Sequence, residues 1–245
     1  MKRRLIILSL LLLIACVIFL FRARFDAALG VIGQRFSAKE SVEQRLQEYG
    51  NAARVRLRPH FDQAKISYPP PRLVFLGIKD EQRLEIYAGG ADGKFRFIRS
   101  YPILAASGVV GPKLREGDGQ VPEGIYAIES LNPNSSYHLS LRVSYPNAFD
   151  REQARRDGRE KLGGDIMIHG KAVSIGCLAM GDKAAEDLFV LAADTGLKNI
   201  EVVLTPVDFR LGKNFPKAAS FPPWSESLYE SIKARLRDLP TSNPR

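Results

Sequence analysis

The chain has 245 residues, 45% of them hydrophobic and 9% aromatic, which is enough to close a sizeable core and excludes a disordered chain. Its formal net charge is +9, but five of the positive residues (Lys2, Arg3, Arg4, Arg22 and Arg24) flank an N-terminal apolar run. The remainder shows no basic stripe interleaved with aromatics, which argues against nucleic acid as a partner; a weak attraction to anionic envelope polymers is compatible with the charge.

That apolar run, Leu5 to Phe21, is 17 residues long. It sits at the lower limit of the roughly 17–25 residues that span a bilayer and exceeds the roughly 7–15 of a cleaved signal core. Residues 1–24 are therefore expected to form a signal anchor or a signal peptide. Leu13-Ile14-Ala15-Cys16 resembles a lipobox, yet the five residues after Cys16 stay apolar. Basic residues ahead of the run hold the N-terminus in the cytoplasm. The expected location is the cell envelope, with the rest of the chain outside the cytoplasmic membrane and the membrane contacted through the N-terminal segment.

Residues 25–70 read as a helical linker. "SAKESVEQRLQEY", residues 37–49, predicts a helix in which Ser37 and Glu40 form a capping box and Gly50-Asn51 supplies the stop. A second short helix is expected over 54–64. "YPPPR" at 68–72 cannot be helical and marks the boundary of the next domain, placed at 71–207. There the texture changes to strands. "RLVFLGIK" and "RLEIYAG" flank Asp80-Glu81-Gln82, a hairpin pattern. "KFRFIRSYPI", "GIYAIESL", "HLSLRVSY", "DIMIH" and "NIEVVLTP" continue it. Asp182 is expected to cap one helix, "KAAEDLFVLAADTG". Six or seven strands with one helix predict a mainly β domain with accessory helices (α+β), built as a β-sandwich or partly closed barrel. Residues 208–245 form a C-terminal extension with a short helix.

The chemistry concentrates in "DIMIHGKAVSIGCLAMGDKAAEDLF", residues 165–189. Outside the N-terminal run the chain has a single cysteine, Cys177, so no disulfide can form within the exported domain, and an unpaired thiol in an oxidising compartment is a liability unless it is used. His169 ends one apolar run and Cys177 follows another. If the two runs are neighbours, thiol and imidazole meet at one rim, where histidine can take the thiol proton and return it to a leaving amine. Gly176 lets the backbone approach a substrate carbonyl, and N–H groups around Cys177 can serve as an oxyanion hole. The plainer alternative is a satisfied structural histidine beside a small buried cysteine. One Cys and one His do not make the three or four ligands that zinc needs; neither a metal nor an organic cofactor is indicated.

Together, "IHG…SIGC" and the upstream "GPKLREGDGQVPEGIYAIESL" resemble the L,D-transpeptidase catalytic domain (YkuD-like) family. The family shows His-Gly, a spacer and Ser/Thr-His-Gly-Cys, and upstream Thr-Pro-x-Gly-x-Phe/Tyr, here Val121-Pro122-Glu123-Gly124-Ile125-Tyr126. The short spacer and "NPNSSYHLSLRVSYPNAFD" are most similar to its YafK-like branch. The resemblance covers about residues 72 to 206. It implies Cys177 as nucleophile, His169 as base, the Gly170 carbonyl as the group orienting that histidine, and Ser174 and Gly176 as shapers of the nucleophile loop. Two positions depart from the pattern: Ile175 stands where the family has histidine, and Ala179 where it often has Asn or Arg.

The implied reaction is acyl transfer from a meso-diaminopimelate carbonyl of a peptidoglycan stem peptide, through a Cys177 thioester, to an amine or to water. The branch also implies an alternative, an amidase that releases a wall-attached lipoprotein. A non-catalytic peptidoglycan-binding scaffold is the third reading. Tyr137, His138 and Tyr145, in "SSYHLSLRVSYPN", are candidates for lining the substrate groove, with Tyr145-Pro146-Asn147 as a turn at its rim; an exposed strand with aromatics packed across its pleat is the alternative.

Overall fold

The computed structural model describes residues 39–242; the apolar run, Cys16 and Ser37 lie outside them. No helix among the described residues is long and apolar enough to cross a membrane. From Glu40 onward they form one compact unit. In chain order the elements are α1 (Val42–Ala64), β1 (Leu73–Ile78), β2 (Arg83–Gly89), β3 (Phe95–Pro102), β4 (Gly124–Ser135), β5 (His138–Val143), α2 (Ala148–Arg156), β6 (Met167–His169), β7 (Leu178–Ala179), α3 (Asp182–Thr195), β8 (Ile200–Thr205) and α4 (Ser225–Leu236).

The strands make one eight-stranded mixed sheet in the order β3-β2-β1-β8-β4-β5-β6-β7. β1 runs parallel to β8 and β6 parallel to β7, and the other pairs are antiparallel. The expected sandwich or partly closed barrel is corrected: among the described residues the strands form a single mixed sheet that does not close. The reason lies in its centre. β1 is buried along its whole length, and its side chains alternate between two cores. Leu73 and Phe75 join Leu57 and Phe61 of α1 and Leu188 and Leu191 of α3. Val74, Leu76 and Ile78 join Leu228, Tyr229 and Ile232 of α4. A strand apolar on both faces needs cover on both, and helices supply it.

α1 is one helix, not two. Its capping box is Ser41 with Gln44: the Gln44 N–H donates to the Ser41 hydroxyl at 3.2 Å, and the Ser41 N–H to the Gln44 side chain at 2.6 Å. It runs through Gly50-Asn51 and Pro59 and ends at Lys65, in the left-handed region at φ 57°. Buried Gly50, Ala53, Leu57 and Phe61 form a helical stripe that overrides the local stop signal. Pro59 cannot donate to the Val55 carbonyl, but Val55 is 64% exposed, so water can serve that oxygen. Polar contacts stitch α1 to α3. Arg54 grips Asp194 in a bidentate pair at 2.8 and 2.7 Å, and Arg56 reaches Asp187 at 2.7 Å.

α2 is the helix that the hydrophobic pattern missed. Asn147 caps it, with Asp150 closing the capping box, so Tyr145-Pro146-Asn147 leads into a helix rather than making a turn at a groove. Burial pushes the Asp150 carboxyl up to about 6, against the Asn147 N–H and the Tyr126 hydroxyl, which pull it down. The only tryptophan in the chain, Trp224, docks here. Its indole N–H donates to Asp157 at 2.9 Å and its ring lies edge-on to Phe149 at 5.8 Å.

Two outcomes follow from this packing. Leu57→Ala, at a fully buried α1 position, should cost about 2–5 kcal/mol in denaturant unfolding; a change within error would mean that α1 is not part of the folded core. A raised folded-state pKa means that the stability contribution of Asp150 is complete below the unfolded value and fades as pH rises through about 6. Asp150→Asn keeps an oxygen for the Asn147 N–H. It should match the parent near pH 4 and exceed it by on the order of 2 kcal/mol near pH 7.5; equal pH slopes for the two proteins would contradict this.

Candidate active site

β6 and β7 are three and two residues long. Their parallel register sets Ile168 against Leu178 and His169 against Ala179, which places Cys177 beside Met167. The Met167 N–H points at the Cys177 sulfur at 3.4 Å, and the sulfur lies 3.5 Å from the Asp165 carbonyl oxygen. Met167 and His169 alternate with Ile168 and so share one face of β6. Both line a cleft of about 450 Å³ with Cys177.

His169 is only 3% exposed, so it meets the cleft through a small part of its ring. Its Nδ1 lies 2.7 Å from the Gly170 carbonyl oxygen. A carbonyl only accepts, so Nδ1 carries the proton and Nε2 holds the free lone pair. Burial lowers the imidazole pKa, and the Gly170 hydrogen bond partly restores it. Burial raises the Cys177 thiol, the Met167 N–H pulls it back, the Asp165 charge adds to the rise, and Lys113 lowers it again. Both effects favour a neutral thiol and a neutral imidazole in the resting site.

The loop before Cys177 is held by two serine hydroxyls. Ser174 Oγ accepts from the Cys177 N–H at 3.0 Å and donates to the Cys177 carbonyl at 2.7 Å. Ser107 Oγ accepts from the Gly176 N–H at 2.5 Å and donates to the Gly119 carbonyl at 2.6 Å. Both N–H groups are thus engaged by hydroxyls, so either can serve an oxyanion only by exchanging its serine partner. Gly176 adopts φ 81°, a conformation that glycine takes without strain. It lines a smaller neighbouring cavity of about 150 Å³ rather than the cleft itself.

Asp182 is not the cap of α3. Gly181 holds that position, and the Asp182 carboxylate instead accepts the Lys171 N–H at 2.8 Å, fixing the turn after His169. Gly170 allows close approach: a Cβ there would lie 2.8 Å from the Tyr137 carbonyl oxygen and 2.6 Å from Asp182 Oδ1. Sequence reasoning missed Ser107, which is far from the motif in the chain, and Asp182, whose position before a helix suggested a cap.

Tyr145 and His138 do not line the cleft. Tyr145 is 4% exposed; its hydroxyl donates to the Leu162 carbonyl at 3.3 Å, and its ring packs edge-on to Tyr126. His138 turns toward α1 and α3, with Nε2 3.2 Å from Glu186 and the ring edge-on to Tyr49 at 5.0 Å. Tyr137, the third candidate, does line the cleft, 4.8 Å from the His169 ring and beside Asn132 and Asn134. Val173 and Ile175, 59% and 87% exposed, make an apolar lip on the nucleophile loop. No cluster of three or more His, Cys, Asp or Glu that could hold a metal occurs among the described residues.

Residues 72–207 match the family model of the L,D-transpeptidase catalytic domain, YkuD. The chain is 35% identical over 133 residues to YafK of Escherichia coli K12, whose L,D-transpeptidase designation is itself provisional; the match covers 52% of this chain and 51% of YafK. The chain thus spans about half the length of the curated relatives it matches. Among solved structures, the helical cell shape determining protein Pgp2 from Campylobacter jejuni is 21% identical, with 68% of this chain and 71% of Pgp2 covered and a TM-score of 0.46. L,D-transpeptidase 1 of Mycobacterium tuberculosis is 16% identical, with coverages of 55% and 62% and a TM-score of 0.31. With more than half of its length matched by that family model, the chain belongs to the L,D-transpeptidase (YkuD) catalytic-domain family.

Proposed function

We propose that the protein is a cell-envelope cysteine acyltransferase acting on peptidoglycan stem peptides. One observation carries the reading: Cys177 and His169 open on the same cleft, with His169 Nδ1 committed to the Gly170 carbonyl and Nε2 free. Family membership supports the reaction class. The basic cluster followed by an apolar run at the N-terminus supports an inner-membrane anchor or cleaved signal, with the domain outside the cytoplasmic membrane.

The chemistry begins from neutral partners. As a substrate carbonyl docks over Cys177, His169 Nε2 takes the thiol proton and the sulfur attacks the meso-diaminopimelate carbonyl. Collapse of the tetrahedral adduct expels the amine, which takes its proton from His169, and leaves a thioester. An amine acceptor or water then attacks the thioester with His169 again as base, and the thiol is regenerated. The Cys177 N–H reaches the oxyanion by exchanging the Ser174 hydroxyl for it.

Two tests address the assignment. Incubation with disaccharide tetrapeptides should yield cross-linked dimers or tripeptides, which separate transfer to an amine from transfer to water. His169→Ala should slow that turnover by about 10²–10⁴-fold, and Cys177→Ala should abolish it together with the single covalent adduct formed by a carbapenem. Unchanged tetrapeptide, with lipoprotein released from sacculi that carry it covalently, would replace this reading by the amidase one. Neither product, with tight sacculus binding, would leave a scaffold. The second test is pH. Because burial raises the thiol, alkylation of Cys177 by iodoacetamide should reach half its plateau above the ordinary thiol range; because burial lowers the imidazole, carbapenem acylation should keep its rate below the ordinary histidine range. An alkylation midpoint below that of free cysteine would instead indicate a preformed thiolate–imidazolium pair.

A further inference from the structure

One wall of the cleft is held from outside the catalytic-domain segment. Cleft residues Asn132, Asn134, Ser135, Ser136 and Tyr137 belong to the hairpin that joins β4 to β5. On its inner side this hairpin leans on the site. Tyr137 packs on the His169 ring, the Tyr137 carbonyl crowds Gly170, and Lys171 Nζ donates to the Ser136 carbonyl at 2.8 Å. On its outer side it meets α1 and the residue just before its cap, which lie upstream of residue 72, where the family match begins.

Those outer contacts are specific. The Glu40 N–H donates to Asn134 Oδ1 at 2.9 Å, and Asn134 Nδ2 donates back to the Glu40 carbonyl at 2.7 Å. A side-chain amide paired in this way with a backbone unit imitates one rung of a β-ladder. Arg45 Nε donates to the Pro133 carbonyl at 3.0 Å, while its Nη1 pairs with Glu48 at 2.6 Å. Tyr49, one turn further on, closes edge-on against His138, which itself meets Glu186 of α3. The contacts fall on residue 40, just ahead of the cap, and on residues 45 and 49, which share one side of the first turns of α1.

We propose that the start of α1 is a clamp that sets the position of the 132–138 hairpin over the cleft, making Arg45 and the Glu40 backbone positioning elements for substrate affinity rather than for the chemical step. The inference rests on the cleft being the stem-peptide site proposed above. Neither Arg45 nor Glu40 lines the cleft, so an effect on affinity would have to pass through the hairpin. The clamp contacts the hairpin at Pro133, Asn134 and His138, whereas the inner contacts of Tyr137 with His169 and of Ser136 with Lys171 are made by other residues and remain when the clamp is lost, so the chemical step should be spared.

The test uses the full chain with Arg45→Ala, Arg45→Lys and Glu40→Pro. Alanine favours the helix, and Glu40→Pro removes the N–H that donates to Asn134 Oδ1 while replacing a side chain that lies one residue ahead of the cap; thermal melting confirms that each variant folds. Amide hydrogen exchange over residues 132–138 should quicken at least several-fold in Arg45→Ala and Glu40→Pro. KM for the disaccharide tetrapeptide should rise about 3–10-fold with kcat within twofold of the parent, as expected when a hydrogen bond worth about 1 kcal/mol is lost from a positioning contact. Arg45→Lys, which keeps a donor for the Pro133 carbonyl, should recover most of both effects. Unchanged exchange in both variants would overturn the clamp. Faster exchange without a change in KM, or a fall in kcat at constant KM, would overturn its link to affinity. If the parent protein turns over no wall peptide at all, the proposed function fails, while the exchange comparison still decides whether α1 holds the hairpin.

Discussion

The site depends on the parallel pairing of two very short strands. Ile168 against Leu178 and His169 against Ala179 is almost the whole extent of that pairing, yet it places sulfur and imidazole on one cleft. A register slip of a single residue would turn one of them to the other face. So short a pairing cannot hold itself, and its support comes from around it: the Met180 N–H on the His169 carbonyl, Ala179 bridged to Ala105 beyond the end of β3, and Asp182 on the Lys171 N–H. Ser174 and Ser107 then lock the loop leading into Cys177. Residues from distant parts of the chain thereby converge to keep two residues in register.

How much of this can be read from sequence depends on the range of the force responsible. The β1–β2 hairpin is legible because two apolar runs flank a short polar turn, and Gln82 takes the left-handed conformation there at φ 46°. The apolar runs ending at His169 and preceding Cys177 are legible for the same reason. β7 is not, because a two-residue strand has no period. α1 reads as two helices because Gly50-Asn51 is a local stop signal, whereas the buried stripe that overrides it acts through α3 and the sheet. α2 is hidden because its surface is charged; Asn147 and Asp150 at capping-box spacing were the available signal. Tyr145 and His138 mislead because residue type says nothing of facing. Tyr137, the neighbour of His138, takes the cleft position, and Tyr145 goes to the core.

The helical faces of the sheet also bear on the chemistry. Because β1 and β8 are apolar on both sides, helices are needed to cover them, and α1 becomes part of the same unit as the cleft. Its ion pairs with α3 and its contacts with the 132–138 hairpin use different residues: Arg54 and Arg56 for the first, Glu40, Arg45 and Tyr49 for the second. The stability of α1 and its grip on the cleft wall are therefore separable by substitution.

Trp224 has an experimental consequence. Its indole is pinned between α2 and the start of α4, with Asp157 on the ring nitrogen, Phe149 on its edge and the Arg159 guanidinium 5.7 Å away. As the sole tryptophan, it dominates the intrinsic emission of the protein, and none of the groups around it lines the cleft. Fluorescence will therefore register undocking of the C-terminal segment and be almost blind to events at Cys177, so an optical titration of the cleft requires an introduced fluorophore.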